Sequence, residues 1–136
     1  MTIIIQRISK LGHIPDDNIL LQWIKLVLDN KRINKSAITV RIVNKKESAE
    51  LNKLYRQKSG PTNVLSFVYS IKPVCGDIVL CAPLIQEEKT WAHLVIHGIL
   101  HLIGYDHIKI KDAKIMESLE IKLLKKIGFE NPYLSL

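Results

Sequence analysis

Only two cysteines occur in the 136 residues, and the six glycines and five prolines are too few for a collagen-like or low-complexity chain. Cys75 and Cys81 flank Gly76-Asp77-Ile78-Val79-Leu80, which reads as a strand. Along a strand they would stand roughly 20 Å apart, against the ~7 Å limit for bridged Cα atoms, so a disulfide between them is not expected. They also lack the CxxC spacing of a metal site and read as small core residues. Lysine, glutamine or histidine interrupts every apolar run before the ~18 to 20 residues needed to cross a bilayer. The start, Met-Thr-Ile-Ile-Ile-Gln-Arg, has neither a basic leader nor a cleavage site, so it does not read as a signal peptide. These absences lead us to expect a cytoplasmic protein with no membrane partner.

Acidic residues are also in deficit. Twenty lysines and arginines against thirteen aspartates and glutamates leave a formal charge of +7. Such an excess favours polyanions, because lysine and arginine release counterions from phosphates. A composition biased toward lysine, isoleucine and asparagine accounts for the charge equally well.

What is present is a hydrophobic content of 47% without linker or repeat, which reads as one domain over residues 1–136. Isoleucine-rich residues 2–8 suit a strand. Asp16-Asp17-Asn18 supplies N-cap chemistry for a helix over about 17–29. Residues 37–43 alternate as a strand, 48–57 read as a helix, and Gly60-Pro61 forces a turn. Residues 64–69 and 76–81 read as neighbouring paired strands. Pro83 suits the first turn of a helix running to Leu102 or Ile103, which Gly104 stops. A last helix over about 111–127 turns Ile115, Leu119, Ile121, Leu123 and Leu124 inward, and Gly128 caps it. The expected fold class is α+β (mixed α/β): one sheet of about four strands packed with about five helices, carrying a zincin-like three-histidine site.

Four of the five histidines lie between positions 93 and 107. His97 and His101, four apart on a helix, share a face and can aim ring nitrogens at one ion. Gly104 lets the chain reverse through a left-handed conformation, and His107 returns a third nitrogen at the ~2.0 to 2.1 Å that zinc requires. Three neutral imidazoles leave a fourth position for water, whose pKa the ion lowers toward ~7. The spacing is that of the metzincin proteases, but Gly98 stands where they carry the glutamate base, which disfavours peptide hydrolysis. His93 reads as a hydrogen-bonded core residue, and His13 is given no role. Asp106 serves either as an outer acceptor for an imidazole or as a turn residue. Glu117 and Glu120 are candidates, with Asp106, for a base near the site, but read most simply as helix-surface residues.

The run His97-Gly98-Ile99-Leu100-His101-Leu102-Ile103-Gly104-Tyr105-Asp106-His107 resembles the signature HGxLHLxGYDH of the YbeY family of bacterial metal-dependent endoribonucleases. The likeness extends to Leu51-Asn52 with Tyr55-Arg56, to Pro61-Thr62-Asn63-Val64-Leu65-Ser66-Phe67 and to Gly76-Asp77-Ile78. Downstream it takes in Met116-Glu117 with Glu120 and Gly128-Phe129-Glu130-Asn131-Pro132-Tyr133. It implies one zinc ion held by His97, His101 and His107, with Arg56 as the functionally important arginine. It further implies cleavage of single-stranded RNA, 3′-end maturation of 16S rRNA, and action on ribosomal particles in ribosome quality control. Independently of the family, an arginine fork that clamps phosphate suits a phosphodiesterase, whereas a solvated helix position is the plainer reading of Arg56. The segment between Cys81 and Trp91 is shorter than the resemblance leads one to expect.

Three functions are thus on the table: a zinc endoribonuclease with Arg56, His97, His101 and His107 as catalytic residues, a metalloprotease, and a ribosome-binding factor with a structural metal.

Overall fold

In the computed structural model, which describes residues 1–134, the isoleucine-rich start forms β1 (Thr2–Arg7). Helix α1 (Asp17–Asn30) follows because Asp16 caps it: its carboxylate accepts from the Ile19 N–H at 3.0 Å, satisfying a donor that the first turn leaves free. Arg7 pairs with Asp17 and donates to the Pro15 carbonyl, tying the end of β1 to the start of α1. The chain continues through β2 (Ser36–Val43), α2 (Lys45–Arg56), β3 (Val64–Ile71), β4 (Val74–Cys81), α3 (Glu88–Ile103) and α4 (Ile110–Lys126).

The helix expected from Pro83 starts later. Pro83 lies in a 3-10 turn (Ala82–Leu84), and Ile85 after it is extended. The Trp91 indole, fully buried, donates to the Ile85 carbonyl at 3.0 Å and so fixes this short connection to α3 by a side-chain bond. The described residues thus form four α-helices and one 3-10 turn rather than about five helices.

The strands lie in the order β1-β2-β4-β3. The first three are parallel, with α1 crossing from β1 to β2 and α2 with β3 crossing from β2 to β4. A tight turn at residues 72–73 joins β3 to β4, and a connection that short permits only antiparallel pairing. That placement leaves β3 on the edge of the sheet, as a neighbour of β4 in the pairing expected from sequence.

Alternation along β4 divides the core. Ile78 and Leu80 join the main cluster with Leu20, Ile24 and Leu28 of α1 and Trp91, Val95 and Ile99 of α3. Val79 points the other way, to Val43 and Leu65, where Leu51 of α2 covers it. Each fully buried leucine or isoleucine contributes about 1.5 to 3 kcal/mol, so the α1/α3 side carries most of the stabilisation. Both cysteines are free; Cys81 is buried and Cys75 only partly so. In α4 the buried stripe is Met116, Glu120, Leu123 and Leu124, while Ile115 is exposed and Leu119 and Ile121 are half-buried. The inward face is therefore turned by about one residue from the expected one, and it includes an acid. Among the described residues no helix is long and apolar enough to cross a membrane.

Candidate metal centre

Helix α3 meets the sheet along one flank and the solvent along the next. A Cβ on Gly98 would stand 2.9 Å from the Ile78 Cδ1, so helix and sheet approach closely at this glycine. A glutamate at this position would have to enter that contact, which gives a packing reason for the residue that the protease motif lacks. On the neighbouring flank His97 and His101 stand one turn apart with their Nε2 atoms 3.1 Å from each other. Gly104 ends the helix at φ +116°, a conformation that side chains rarely adopt, and the chain doubles back to bring the exposed His107 into the group. The His107 ring centroid is 5.3 Å from that of His97 and 4.9 Å from that of His101. One ring nitrogen from each of the three histidines lies within 4.8 Å of the others.

The outer nitrogens decide which protons these rings carry. His101 Nδ1 is 2.9 Å from the Tyr105 carbonyl oxygen, which only accepts, so Nδ1 bears the hydrogen and Nε2 the lone pair. His97 Nδ1 donates in the same way to Glu120 Oε1 at 2.8 Å. Glu120, expected at the surface, is fully buried. Burial pushes its carboxyl up, but the hydrogen bonds from His93, His97 and Tyr133 outweigh that and hold it down at about 2, so it is an acceptor at neutral pH. Burial, and next the neighbouring His97, lowers the His101 imidazole and favours its neutral form.

In the neutral rings two Nε2 lone pairs therefore face each other at 3.1 Å, an arrangement that repels unless a proton or a metal cation lies between them. The separation is close to the roughly 3.3 Å edge of a tetrahedron built on ~2.0 to 2.1 Å zinc–nitrogen bonds. The donor set thus fits a divalent ion such as zinc, held by His97, His101 and His107, and His97 and His101 have the outer acceptors that histidine ligands ordinarily have. Asp106 is not one of those acceptors: its Oδ1 accepts from the Ile108 N–H at 3.3 Å, and it shapes the turn.

The three histidines line a cleft of about 560 Å³ that follows residues 62–68, the approach to β3 and the first part of that strand. Tyr55 and Arg56, at the end of α2, form its other wall. Gln57 stops α2 in a left-handed conformation, and the Asn52 amide donates to the Gly60 carbonyl at 2.8 Å, so this end of the helix is tied to the loop beneath it. Tyr55 also meets Phe67 of β3 edge to face at 5.1 Å. Arg56 itself is exposed. The structure thus brings all four sequence-chosen site residues to one cleft, three on one wall and Arg56 on the other.

Sequence reasoning missed the group behind the histidines. His93 Nε2 donates to Glu120 Oε1 at 2.9 Å, in keeping with its reading as a hydrogen-bonded residue. The Tyr133 hydroxyl lies 2.8 Å from Glu120 Oε2. The available signal was an acid inside an otherwise apolar helical stripe, four residues after Met116.

A model of the endoribonuclease YbeY family matches residues 7–128. The endoribonuclease YbeY of Coxiella burnetii is 45% identical over an alignment of 151 positions, covering 98% of each chain. That alignment is longer than the 136 residues here, so the relative has residues without a counterpart in this chain. The endoribonuclease YbeY of Methylococcus capsulatus is 41% identical, over 95% of this chain and 93% of its own length. A solution structure from Thermotoga maritima has the same fold with a TM-score of 0.60 at 26% identity, covering 98% of this chain and all of the other. Over nearly its whole length, then, the chain belongs to the YbeY endoribonuclease family.

Proposed function

We propose that the chain is a zinc-dependent endoribonuclease that cuts single-stranded RNA, with residues 1–136 acting as one domain. His97, His101 and His107 hold one ion per chain, and Arg56 steadies the phosphate to be cut. When bound there, the ion supplies Lewis acidity toward a phosphoryl oxygen and activates water at neutral pH. The protein's own share is geometric. Glu120 and the Tyr105 carbonyl keep two imidazoles in the tautomer that turns lone pairs inward. Arg56, across the cleft, offers a planar fork to two phosphate oxygens, and the apolar ring of Phe67 with Tyr55 gives the cleft a wall on which a base can lie. The chain's basic charge favours RNA as the polyanion. Within the family so named, we read the substrate as the 3′ end of 16S rRNA on ribosomal particles, in ribosome maturation and quality control.

The observation that carries this reading is the convergence of the His97 and His101 Nε2 atoms, 3.1 Å apart, with the His107 ring on a cleft that Arg56 also lines. The protease reading loses ground because Gly98 is packed against Ile78. To test it, purified protein is analysed for metal and given single-stranded RNA. We expect one zinc per chain and cleavage that stops on chelation and in His101→Ala. Undiminished cleavage in His101→Ala, or in metal-stripped protein, would refute the proposal.

A further inference from the structure

Behind the metal centre, on the side of Glu120 away from the cleft, lie two residues that no part of the cleft chemistry uses. His93 stands one helical turn before His97 on α3, and Tyr133 lies in the turn beyond α4. Neither lines the cleft. We propose that His93 and Tyr133 are positioning residues for the metal centre, acting through Glu120 to hold the His97 ring with its Nε2 lone pair turned into the cleft.

The proton count supports this. Tyr133 Oη lies 2.8 Å from Glu120 Oε2 and 3.0 Å from Oε1, so its single hydrogen goes to the nearer Oε2. His93 Nε2 lies 2.9 Å from Oε1 and 3.1 Å from the Tyr133 oxygen. Oε1 then accepts from His93 and from His97 Nδ1, Oε2 accepts from Tyr133, and the Tyr133 oxygen takes the remaining share of the His93 N–H. Both Glu120 oxygens and the Tyr133 hydroxyl are satisfied by this arrangement, and in it His97 Nδ1 carries the hydrogen. Without Tyr133 and His93, the Glu120 carboxylate would be free to rotate about its last torsion, and the acceptor facing His97 would no longer be fixed in place.

The turn itself is built to deliver the tyrosine. Asn131 Oδ1 accepts from the Tyr133 N–H at 2.8 Å, the local bond that lets asparagine bend a chain. Tyr133 returns to α4 in this way, and its ring meets that of His93 edge to face at 5.3 Å. A second cation among His93, His97 and Glu120 is the competing use of these atoms, since they too lie within 4.8 Å of one another. The hydroxyl placed against both carboxylate oxygens favours donors there over a cation.

This inference rests on the reading of His97, His101 and His107 as zinc ligands, and the experiment separates the two. The full chain, wild type, Tyr133→Phe and Glu120→Leu, is prepared free of metal. The His97 tautomer is read by nitrogen–proton correlation in NMR, and zinc affinity by competition with a chromophoric chelator. Wild type is expected in the Nδ1–H form with one zinc site. Glu120→Leu should move His97 toward the Nε2–H form and weaken zinc by ~10- to 100-fold. Tyr133→Phe, which removes only a hydroxyl, should do the same more weakly, by roughly 2- to 10-fold. If Glu120→Leu does not fold, Tyr133→Phe decides alone. Wild type that takes up one zinc while Tyr133→Phe keeps both its tautomer and its affinity overturns this inference only. Two zinc ions per chain also overturn it, and a wild type that takes up none overturns both readings.

Discussion

The two walls of the cleft are made in different ways. On the histidine wall, His97 and His101 are fixed by a buried helix, and each outer nitrogen has an acceptor, Glu120 of α4 for His97 and the Tyr105 carbonyl of the following turn for His101. On the arginine wall, Arg56 is the last residue of α2 and stands exposed. Its helix is held from behind. Arg41 of β2 makes two bonds to Glu47, at 2.5 and 2.9 Å, and Ser48 donates to the Thr62 carbonyl at 2.8 Å. The difference matches the tasks proposed for the two walls. A metal demands ligand atoms placed to a fraction of an ångström, whereas a long, flexible guanidinium can follow a phosphate. The first wall spends buried polar bonds on single rings, and the second fixes a whole helix and leaves its terminal side chain free.

The sharpest way to break this comparison is Arg56→Ala. We expect kcat/KM on single-stranded RNA to fall by ~10²- to 10³-fold, the usual cost of losing one preorganised donor, with zinc affinity unchanged. A parallel loss of zinc would mean that the walls are not independent. Next comes Gly104→Ala, which strains the reversal between His101 and His107 because φ there is +116°. It should cost about 1 to 3 kcal/mol in denaturant unfolding of the metal-free protein and weaken zinc as well, since the Tyr105 carbonyl that holds His101 lies in the same turn. Unchanged stability would show that the turn tolerates a side chain.

The smallest effect is reserved for the support of α2. The Arg41 hydrogen bond, against the opposing pull of burial, holds Glu47 below its ordinary 4.5. A carboxyl depressed in the folded state adds stability that is present above its unfolded value and lost as the pH falls through the lower folded one. Wild type should therefore lose its advantage over Glu47→Gln as the pH drops below about 4.5, by at most about 1 kcal/mol, because the pair is partly screened by solvent. Stability curves for the two proteins that run parallel across that range would show that the pair contributes nothing to holding α2.

Much of the site was legible because it is local. The i, i+4 pair of histidines, the glycine that reverses the chain and the third histidine all fall within eleven residues, where helical geometry converts spacing into position. Arg56 was legible only through the family signature, since nothing in its own segment distinguishes it from a solvated helix end. The segment after Pro83 misled for a related reason. Proline permits a helix start without requiring one, and the Trp91 indole bond to Ile85 settled the matter from six residues away. In α4, Ile115 and Ile121 suggested a face that packing against α3 rotated toward Met116 and Glu120.

By itself the sequence determined the strand and helix segments and three imidazoles with the spacing of one metal site, because each is a property of neighbours along the chain. The tertiary structure alone decided which proton the His97 imidazole carries. That depends on Glu120 from a different helix and on Tyr133 near the end of the described residues, and hydrogen bonds between distant residues leave no periodicity in the sequence.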